Sequence, residues 1–504
     1  MPRFSRRDLL KLAAIVPPAV TLTRMVSDRN LSLSNQNTAQ PNVIIVLFDA
    51  MTARNLSVYG YERETTPNFK RFAKRSTVYH SHNSAGNFTV PGTSSLLTGL
   101  YPWTHRGLNL GGSIARDIVH RNIFNLIGKD YQRIAFAQNI WADYILSQFQ
   151  GDIDLTLPPT MFGISDHILG DKFRDTNLAY RALDDFLFYS STPGSTAFYP
   201  IEKALHSIAV AQNESPDYPK GLPKDATHPI LYRLDDLFSG LSSFVNRLSP
   251  PFLTYFHLFS PHYPSRPTKK FIGKFDKNKW QPVNKPVHRL SDHVSKINIR
   301  NERDGYDEYL ATIDDEFGKF IDTLDASGLM KNTYLILTSD HGEMFERGET
   351  KHNTPLLYDP VVHIPLIISA PGQQERNDIY SPTNSVDVLP TLLSLVGKEI
   401  PEWCDGQLLP GLGGKDDTNR ISFTVEAKQS FIFSPIKIGT IAMRKGKYKL
   451  IYYTGYEKED SFELYDQEND QEELNDLYSS QPQLAASLRD ELLTRFQEEN
   501  KKRA

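Results

Sequence analysis

The run Pro41–Asp49, PNVIIVLFD, constrains this chain more than any other stretch: it is apolar and β-branched until it stops on a carboxylate. Without polar alternation it predicts a strand covered on both faces, as in a parallel sheet. Such sheets hold ligands in the crevice beyond the carboxyl ends of their strands, so Asp49 is expected at the mouth of a site. Downstream, NTYLILTSDHGE repeats the pattern and ends on Asp340 and His341. Between the two lies NFTVPGTSSLLTG, a turn with Pro91 and Gly92 that leads into a helix opening. A hydroxyl there, that of Thr89, meets unpaired backbone N–H groups and the positive end of the helix, a good place to present a nucleophile to an anion. Asp49, Asp340, His341 and Thr89 together make a metal site with a hydroxyl in reach. Threonine is also an ordinary residue to cap a helix, so its position alone does not make it a nucleophile.

With 504 residues, 39% of them hydrophobic, the chain can bury a large core, or a core and a smaller satellite. A net charge of −4 gives no reason to expect a nucleic-acid partner. After the N-terminus no apolar stretch of about 18 residues is available to span a bilayer, so no stable transmembrane domain is expected. One cysteine, Cys404, excludes an internal disulfide framework. The start, MPRFSRRDLLKLAAIVPPAVTL, places Arg6 and Arg7 ahead of a weakly apolar stretch and resembles a bacterial twin-arginine export signal. Residues 1–26 are therefore expected to send the chain to the periplasm or outside a bacterium, or to stay as an N-terminal anchor. Residues 27–40, rich in Asn, Ser and Gln, read as a linker.

The remaining punctuation is that of alternating strands and helices. A helix is expected from Pro67, capped by Thr66, with Phe69 and Phe72 inward. RIAFAQN reads as a strand, and PFLTYFHLF as another with His257 at its end and His262 on the proline-bracketed loop beyond. Lys269–Arg303 reads as a long surface excursion. The helix after it carries Tyr309, Ile313, Phe317, Phe320 and Leu324 at helical spacing and closes at Gly328. HIPLIISAP predicts a further central strand and SVDVLPTLLSLVG a helix. The alternating runs in IGTIAMRKGKYKLIYYTG and FELYD predict a small antiparallel sheet sealed by a helix from Pro482. The expected architecture is α/β: a mostly parallel sheet between helices over residues 41–375, with a smaller C-terminal antiparallel sheet subdomain over 376–504. Residues 155–250 show no chemistry.

The order YGYERETTPNFKRFA, TVPGTSSLLTGLYPWTH, SPHYP, the LTSDHGE block, LYDPVVHIPLII, SVDVLPTLL, GKYKLIYY and FELYD resembles the sulfatase family of the alkaline phosphatase superfamily. The resemblance covers most of the chain outside residues 155–250 and implies an alkaline phosphatase-like fold. One departure matters most. Sulfatases carry a Cys or Ser that is oxidised to formylglycine, followed two and four residues on by Pro and Arg; here the places hold Thr89, Pro91 and Thr93. A threonine there is similar to nucleotide pyrophosphatase/phosphodiesterases and to phosphoethanolamine and phosphoglycerol transferases, which attack phosphorus directly. The family also usually has two successive Asp after the first strand, where this chain has Asp49 and Ala50.

What the resemblance implies is a divalent metal on Asp49, Thr89, Asp340 and His341, with zinc or manganese favoured over calcium because the donors mix carboxylates with imidazole. His262 matches the histidine of the family's Pro-His-x-Pro loop, and His352 or Lys351 matches the cation shortly after DHGE. His262 and His352 would bind the anionic ester or protonate the leaving oxygen. His257 is either a further ligand or a satisfied core histidine, and His105 and Glu343 are weaker candidates. The leading expectation is a metal-dependent hydrolase of phosphate mono- or diesters through Thr89, acting on a small-molecule or glycan anionic ester. A sulfuric ester hydrolase without formylglycine and a catalytically silent binding module are the alternatives.

Overall fold

In the computed structural model, which describes residues 40–163, 215–224, 231–276 and 280–502, the apolar runs become the strands of one large sheet. The expected export signal and all of the linker except Gln40 lie outside the described residues, as does much of 155–250. In chain order the strands are β1 (Asn42–Phe48), β2 (Thr77–Tyr79), β3 (His82–Asn83), β4 (Gln132–Ala137), β5 (Leu155–Leu157), β6 (Phe252–Leu258), β7 (Thr333–Ser339), β8 (Leu366–Ser369), β9 (Asn377–Ile379) and β10 (Thr383–Asn384). Eight of them form the order β5-β4-β6-β1-β7-β8-β2-β9, and β3 pairs separately with β10. β1 lies between parallel partners, with Val46 opposite Phe256 of β6 and Leu337 of β7. Antiparallel β8 breaks the parallel run.

Every residue of β1 is buried, and its pleat divides them between two cores. Ile44, Val46 and Phe48 face one core, closed by the helices Pro67–Ala73, Leu234–Val245 and Lys296–Ala326. Val43, Ile45 and Leu47 face the other, closed by Thr89–Thr98, Ile140–Gln148 and Val388–Leu395. This is why the run carries no alternation. Both faces are covered, so polar residues stand only at the strand's two ends, Asn42 at its start and Asp49 just beyond its last residue.

The C-terminal sheet is antiparallel throughout, in the order β11 (Ile421–Glu426), β12 (Gly439–Lys445), β13 (Tyr448–Thr454) and β14 (Ser461–Asp466). Val425, Ile441, Met443, Leu450 and Leu464 bury one face against Leu488, Leu492 and Phe496 of the helix Pro482–Lys501 and against Trp103. Lys449 reaches out of the sheet to Asp359 at 3.0 Å and Glu473 at 2.7 Å, a buried triad that ties it to the main body.

Several boundaries differ from the sequence reading, each for a physical reason. The long helix starts at Lys296, because Ser295 accepts the Asn298 N–H and gives it a cap well inside the expected excursion. The excursion is itself anchored: Lys285 is buried between Glu346 and Glu472. Thr66 precedes its helix, but its side chain does not cap it. Asp314 instead accepts the Asn68 and Phe69 N–H groups at 2.9 and 2.8 Å, a cap supplied from the neighbouring helix. Residues 377–379 pair with β2 and the helix Val388–Leu395 lies in the second core, so both belong with the large sheet although they follow residue 375.

His105 proves to be a core residue. Its Nδ1 accepts the Gly107 N–H at 3.0 Å, so its Nε2–H donates to Ser95 Oγ at 2.9 Å, which fixes a neutral tautomer. Burial, then Arg106, pushes it down to about 3. Unfolded chains protonate histidine near 6.5, so folding is progressively penalised as pH falls from about 6.5 toward the folded value. At pH 5 this one group should cost about 2 kcal/mol. We expect His105→Gln to shrink the loss of stability between pH 7.5 and 5 by that amount, measured by denaturant melts at both pH values, although the variant starts less stable at pH 7.5.

Candidate active site

β1, β6 and β7 are adjacent and parallel, so the residues at their carboxyl ends converge: Asp49 after β1, His257 near the end of β6, Asp340 and His341 after β7. All four are fully buried. In each of three side chains one atom is used by the protein and another is left over. Asp49 Oδ2 accepts hydrogen bonds from Asn139 Nδ2 and from His257 Nε2 at 3.3 Å, and Oδ1 faces only the His341 ring, 3.3 Å from its Nε2. Asp340 Oδ1 accepts the His341 N–H at 3.0 Å and the Ala50 N–H at 3.3 Å, and Oδ2 has none. His341 Nδ1–H donates to the Gly342 carbonyl at 3.0 Å, which turns Nε2 toward Asp49 Oδ1 at 3.3 Å and Asp340 Oδ2 at 3.5 Å. Asp49, Asp340 and His341 offer ligand-type atoms within 4.8 Å of one another.

The turn that brings Asp49 inward is strained. Ala50 has φ of 59°, a left-handed conformation a non-glycine residue seldom adopts. It is held by Asp340, which accepts its N–H, and by Tyr306, whose hydroxyl donates to its carbonyl at 2.7 Å.

Thr89 opens the helix Thr89–Thr98 and is 3% exposed. That helix runs directly against the end of β7: a Cβ on Gly92 would lie 2.2 Å from the Asp340 carbonyl oxygen, so only glycine permits the approach. Asn139 joins the hydroxyl to the carboxylate cluster. Its Oδ1 accepts the Trp141 N–H at 2.7 Å to cap the helix Ile140–Gln148, which turns its amide nitrogen inward. That nitrogen donates both to Asp49 Oδ2 and to Thr89 Oγ1, the latter at 3.2 Å. The sequence reading took RIAFAQN as a strand ending on Asn139 but gave that residue no role; the strand-end argument applied to Asp49 would have found it. Tyr255, whose hydroxyl lies 3.0 Å from His257 Nδ1, was missed because a tyrosine inside a strand looks like core. With Tyr255 donating to Nδ1, His257 offers its Nε2–H to Asp49 and serves as a hydrogen-bonding partner of the carboxylate.

Above this floor stand His262 and His352, ring centroids 5.0 Å apart, with His352 tilted by 36° against His341 at 4.1 Å. Both Glu343 oxygens lie 3.1 Å from His352 Nδ1. His262 Nδ1–H donates to the Tyr263 carbonyl at 2.8 Å. Lys351 is turned away, bonded to Asp292 and 43% exposed, so of the two residues matched to the family's cation only His352 reaches the cluster. A separate cavity of about 810 Å³, lined by Arg54, Tyr61, Trp280, His363 and Arg444 among others, shares Glu343 but none of Asp49, Thr89, Asp340 and His341.

Two buried carboxylates side by side are costly unless positive charge meets them. Burial and then Asp49 push Asp340 upward, while His262, His257 and His341 overcome burial to hold Asp49 well below the usual carboxylate range. Burial alone would lower His341, yet Asp340 and Asp49 draw it up to about 9. Two carboxylates and an imidazole, dehydrated and with unpartnered atoms converging, fit a divalent ion.

The model of the sulfatase family matches residues 41–398. The chain belongs to the sulfatase family. A second model, the C-terminal region of N-sulphoglucosamine sulphohydrolase, matches residues 349–502. Among curated sulfatases, the choline-sulfatase of Rhizobium meliloti is 24% identical over 465 residues, covering 87% of this chain and 83% of that protein. The N-acetylgalactosamine-6-O-sulfatase of Bacteroides thetaiotaomicron is 21% identical, covering 94% and 96%. Among solved structures, the phosphonate monoester hydrolase of Agrobacterium radiobacter superposes with a TM-score of 0.65 at 17% identity, over 91% of this chain and 96% of that one. That likeness shows the alkaline phosphatase-like fold.

Two adjacent buried carboxylates destabilise the fold where no cation compensates them. In chelator, Asp340→Asn should be more stable than the parent by about 1–3 kcal/mol, because an amide replaces one of two neighbouring buried carboxylates. Added zinc or manganese should then raise the parent's Tm and leave the variant's unmoved, a pattern that thermal melts in both conditions would show or refute.

Proposed function

We propose that this sulfatase-family hydrolase uses Thr89 as a nucleophile on phosphate mono- or diesters, with a divalent metal held by Asp49, Asp340 and His341. The observation that carries this reading is the Asn139 amide, which donates to both Asp49 and Thr89 and so fixes the hydroxyl beside the metal-type cluster. The bound ion would stabilise the Thr89 alkoxide and polarise a phosphoryl oxygen. The donors fit zinc or manganese better than an all-oxygen calcium cage.

The chain's own groups supply the rest. Thr89 Oγ attacks phosphorus as the bond to the alcohol oxygen breaks, and the free N–H groups at its helix start face the developing charge. His262 and His352 hold the ester's oxygens, and one of them delivers the proton that the departing alcohol takes up. Glu343 fixes the His352 ring. Water then cleaves the threonine ester and restores the hydroxyl.

A second reading, direct hydrolysis of a sulfuric ester, is favoured by the two curated relatives, both of which are named as sulfatases. Formylglycine is closed to it on chemical grounds. Thr89 has a methyl group on Cβ, so oxidising its hydroxyl would give a ketone and not an aldehyde. Parallel assays of p-nitrophenyl phosphate, bis-p-nitrophenyl phosphate and p-nitrophenyl sulfate on one preparation, with metal analysis, separate the readings. We expect phosphate turnover that chelation abolishes, and a fall in kcat of about 10³-fold or more for Thr89→Ala at unchanged Tm. A strong sulfate preference reverses the order, and a chain that holds no metal is the silent binding module.

We read the Arg6–Arg7 start as an export signal. Replacing both by lysine should retain the chain in the cytoplasm of a bacterial host, scored by cell fractionation.

A further inference from the structure

The cavity of about 810 Å³ beside Glu343 is lined by groups that the catalytic reading leaves unused. None of Asp49, Thr89, His262, Asp340, His341 and His352 lines it, and Glu343, whose two oxygens both face His352 Nδ1, stands between the two spaces. Its volume is that of a site for a small organic molecule.

Arg54, Arg303 and Arg444 all line this cavity. Glu472 lies in the field of Arg54 and Arg303, and Asp359 in that of Arg54 and Arg444, which puts Arg54 between the other two. Arg54 is paired with Glu472. The outer two have no such partner: no carboxylate among the described residues forms an ion pair with either. Arg444 Nε donates to the Gly446 carbonyl at 3.2 Å, and Arg303 Nη2 donates to the Phe345 carbonyl. Arg303 Nε is buried without a partner.

The C-terminal sheet explains why Arg444 is left over. It stands directly opposite Lys449 in the β12–β13 ladder, so two cations share one face. The carboxylates nearby, Asp359 and Glu473, are both bonded to Lys449, at 3.0 and 2.7 Å. Burial draws the Arg444 guanidinium down and these two carboxylates do not make up the difference, whereas Arg54, also enclosed, is held up by Glu472. His363 lines the cavity within the field of Arg444 and has a buried Nε2 without a partner; Ser81, a further lining residue, has an unpartnered Oγ. Buried polar atoms are satisfied as a rule, so several free ones around one cavity mark where a ligand completes them.

The carboxylates of the lining do not compete for those groups. Glu346 and Glu472 hold Lys285, Asp359 holds Lys449, and Glu343 faces His352. Glu62 and Glu468 are exposed, where solvent screens their charge. Toward Arg303 the lining turns aromatic: Tyr61 and Trp280 meet edge to face at 5.1 Å, and the Arg303 guanidinium lies 5.8 Å from the Trp280 ring.

We propose that this cavity is a second ligand site, separate from the Thr89 centre, for a tetrahedral oxyanion such as phosphate or sulfate, with Arg444 its principal cation, the anion being free or carried on a ring that rests on Trp280. A guanidinium presents its N–H groups as a planar fork that matches such oxyanions. A cationic ligand would meet two uncompensated arginines. The inference stands whatever ester the Thr89 site cleaves.

The test is calorimetric titration of the full chain, in chelator, with inorganic phosphate and with phenylphosphonate, which has no ester bond to cleave. In chelator the carboxylates of Asp49 and Asp340 repel a dianion from the catalytic cluster, so one molecule should bind per chain. Arg444→Met should weaken binding at least tenfold, and Thr89→Ala with His262→Ala should change it less than twofold. Should Arg444→Met fail to fold, Arg303→Met, at a half-exposed helix position, should weaken binding at least threefold. Equal affinity for the two probes identifies a free oxyanion as the ligand; tighter binding of phenylphosphonate that Trp280→Ala removes identifies an oxyanion on a ring. Binding of neither probe, binding that survives the arginine substitution, loss of binding in the Thr89→Ala, His262→Ala variant, or a phenylphosphonate preference that survives Trp280→Ala overturns the proposal.

Discussion

The structure is arranged around two carboxylates that repel each other. Asp49 and Asp340 lie at the ends of adjacent parallel strands, wholly buried and beside two histidines. The chain gives up stability to keep them there: Ala50 adopts a left-handed turn and Gly92 forgoes a side chain so that a helix can reach the Asp340 carbonyl. Such a cluster persists because what surrounds it is over-determined. The strand pairing fixes the backbone, and Asn139, His257, Tyr255 and Tyr306 fix the side chains by directed hydrogen bonds. Each of those bonds engages the atom facing the protein and leaves the inward-facing atom for something else.

This division of labour explains which parts of the site were legible in the sequence. Asp49, Asp340 and His341 stand out because a polar residue at the end of an unalternating apolar run has only the crevice to point into. Thr89 stands out because a hydroxyl opens a helix of small residues. Asn139, the residue that connects Thr89 to the cluster, had no such contrast: asparagine before a helix is common, and its amide faces the site only because its own carbonyl oxygen is committed to the cap. The choice between Lys351 and His352 was equally closed, since it depends on Asp292, which lies 59 positions from Lys351 in sequence and beside it in space. The small C-terminal sheet, built from local hairpins with clean alternation, was readable for the opposite reason: its pairing is between neighbours.

The boundaries that moved share one cause. The helix after the excursion begins at Lys296 and the Pro67 helix is capped by Asp314, so in both places side chains and not propensity decide where regular structure starts. Lys285 makes the same point for a segment that looks solvated. Its charge is buried between Glu346 and Glu472, and only a partner remote in sequence makes that tolerable. Long-range charge pairing is invisible to periodicity, which is why a basic, asparagine-rich stretch reads as surface when it is part of the wall around the C-terminal sheet.

The same reasoning bears on how this member of the sulfatase family departs from its relatives. A formylglycine centre needs a residue that can become an aldehyde. A threonine keeps its hydroxyl, so attack depends on how well that hydroxyl is positioned and how strongly its alkoxide is stabilised. The positioning is visible: helix N-terminus, Gly92 contact and Asn139 bond act on one oxygen. Under the proposed function, with Ala50 in place of a second acidic residue, an ion on the cluster would meet fewer carboxylates and the imidazole of His341 would be a principal donor. Fewer anionic ligands would leave more of the ion's positive charge for the alkoxide and for the ester. A weaker nucleophile would thereby be matched to a more electrophilic metal environment, so threonine at position 89 and alanine at position 50 would act in the same direction.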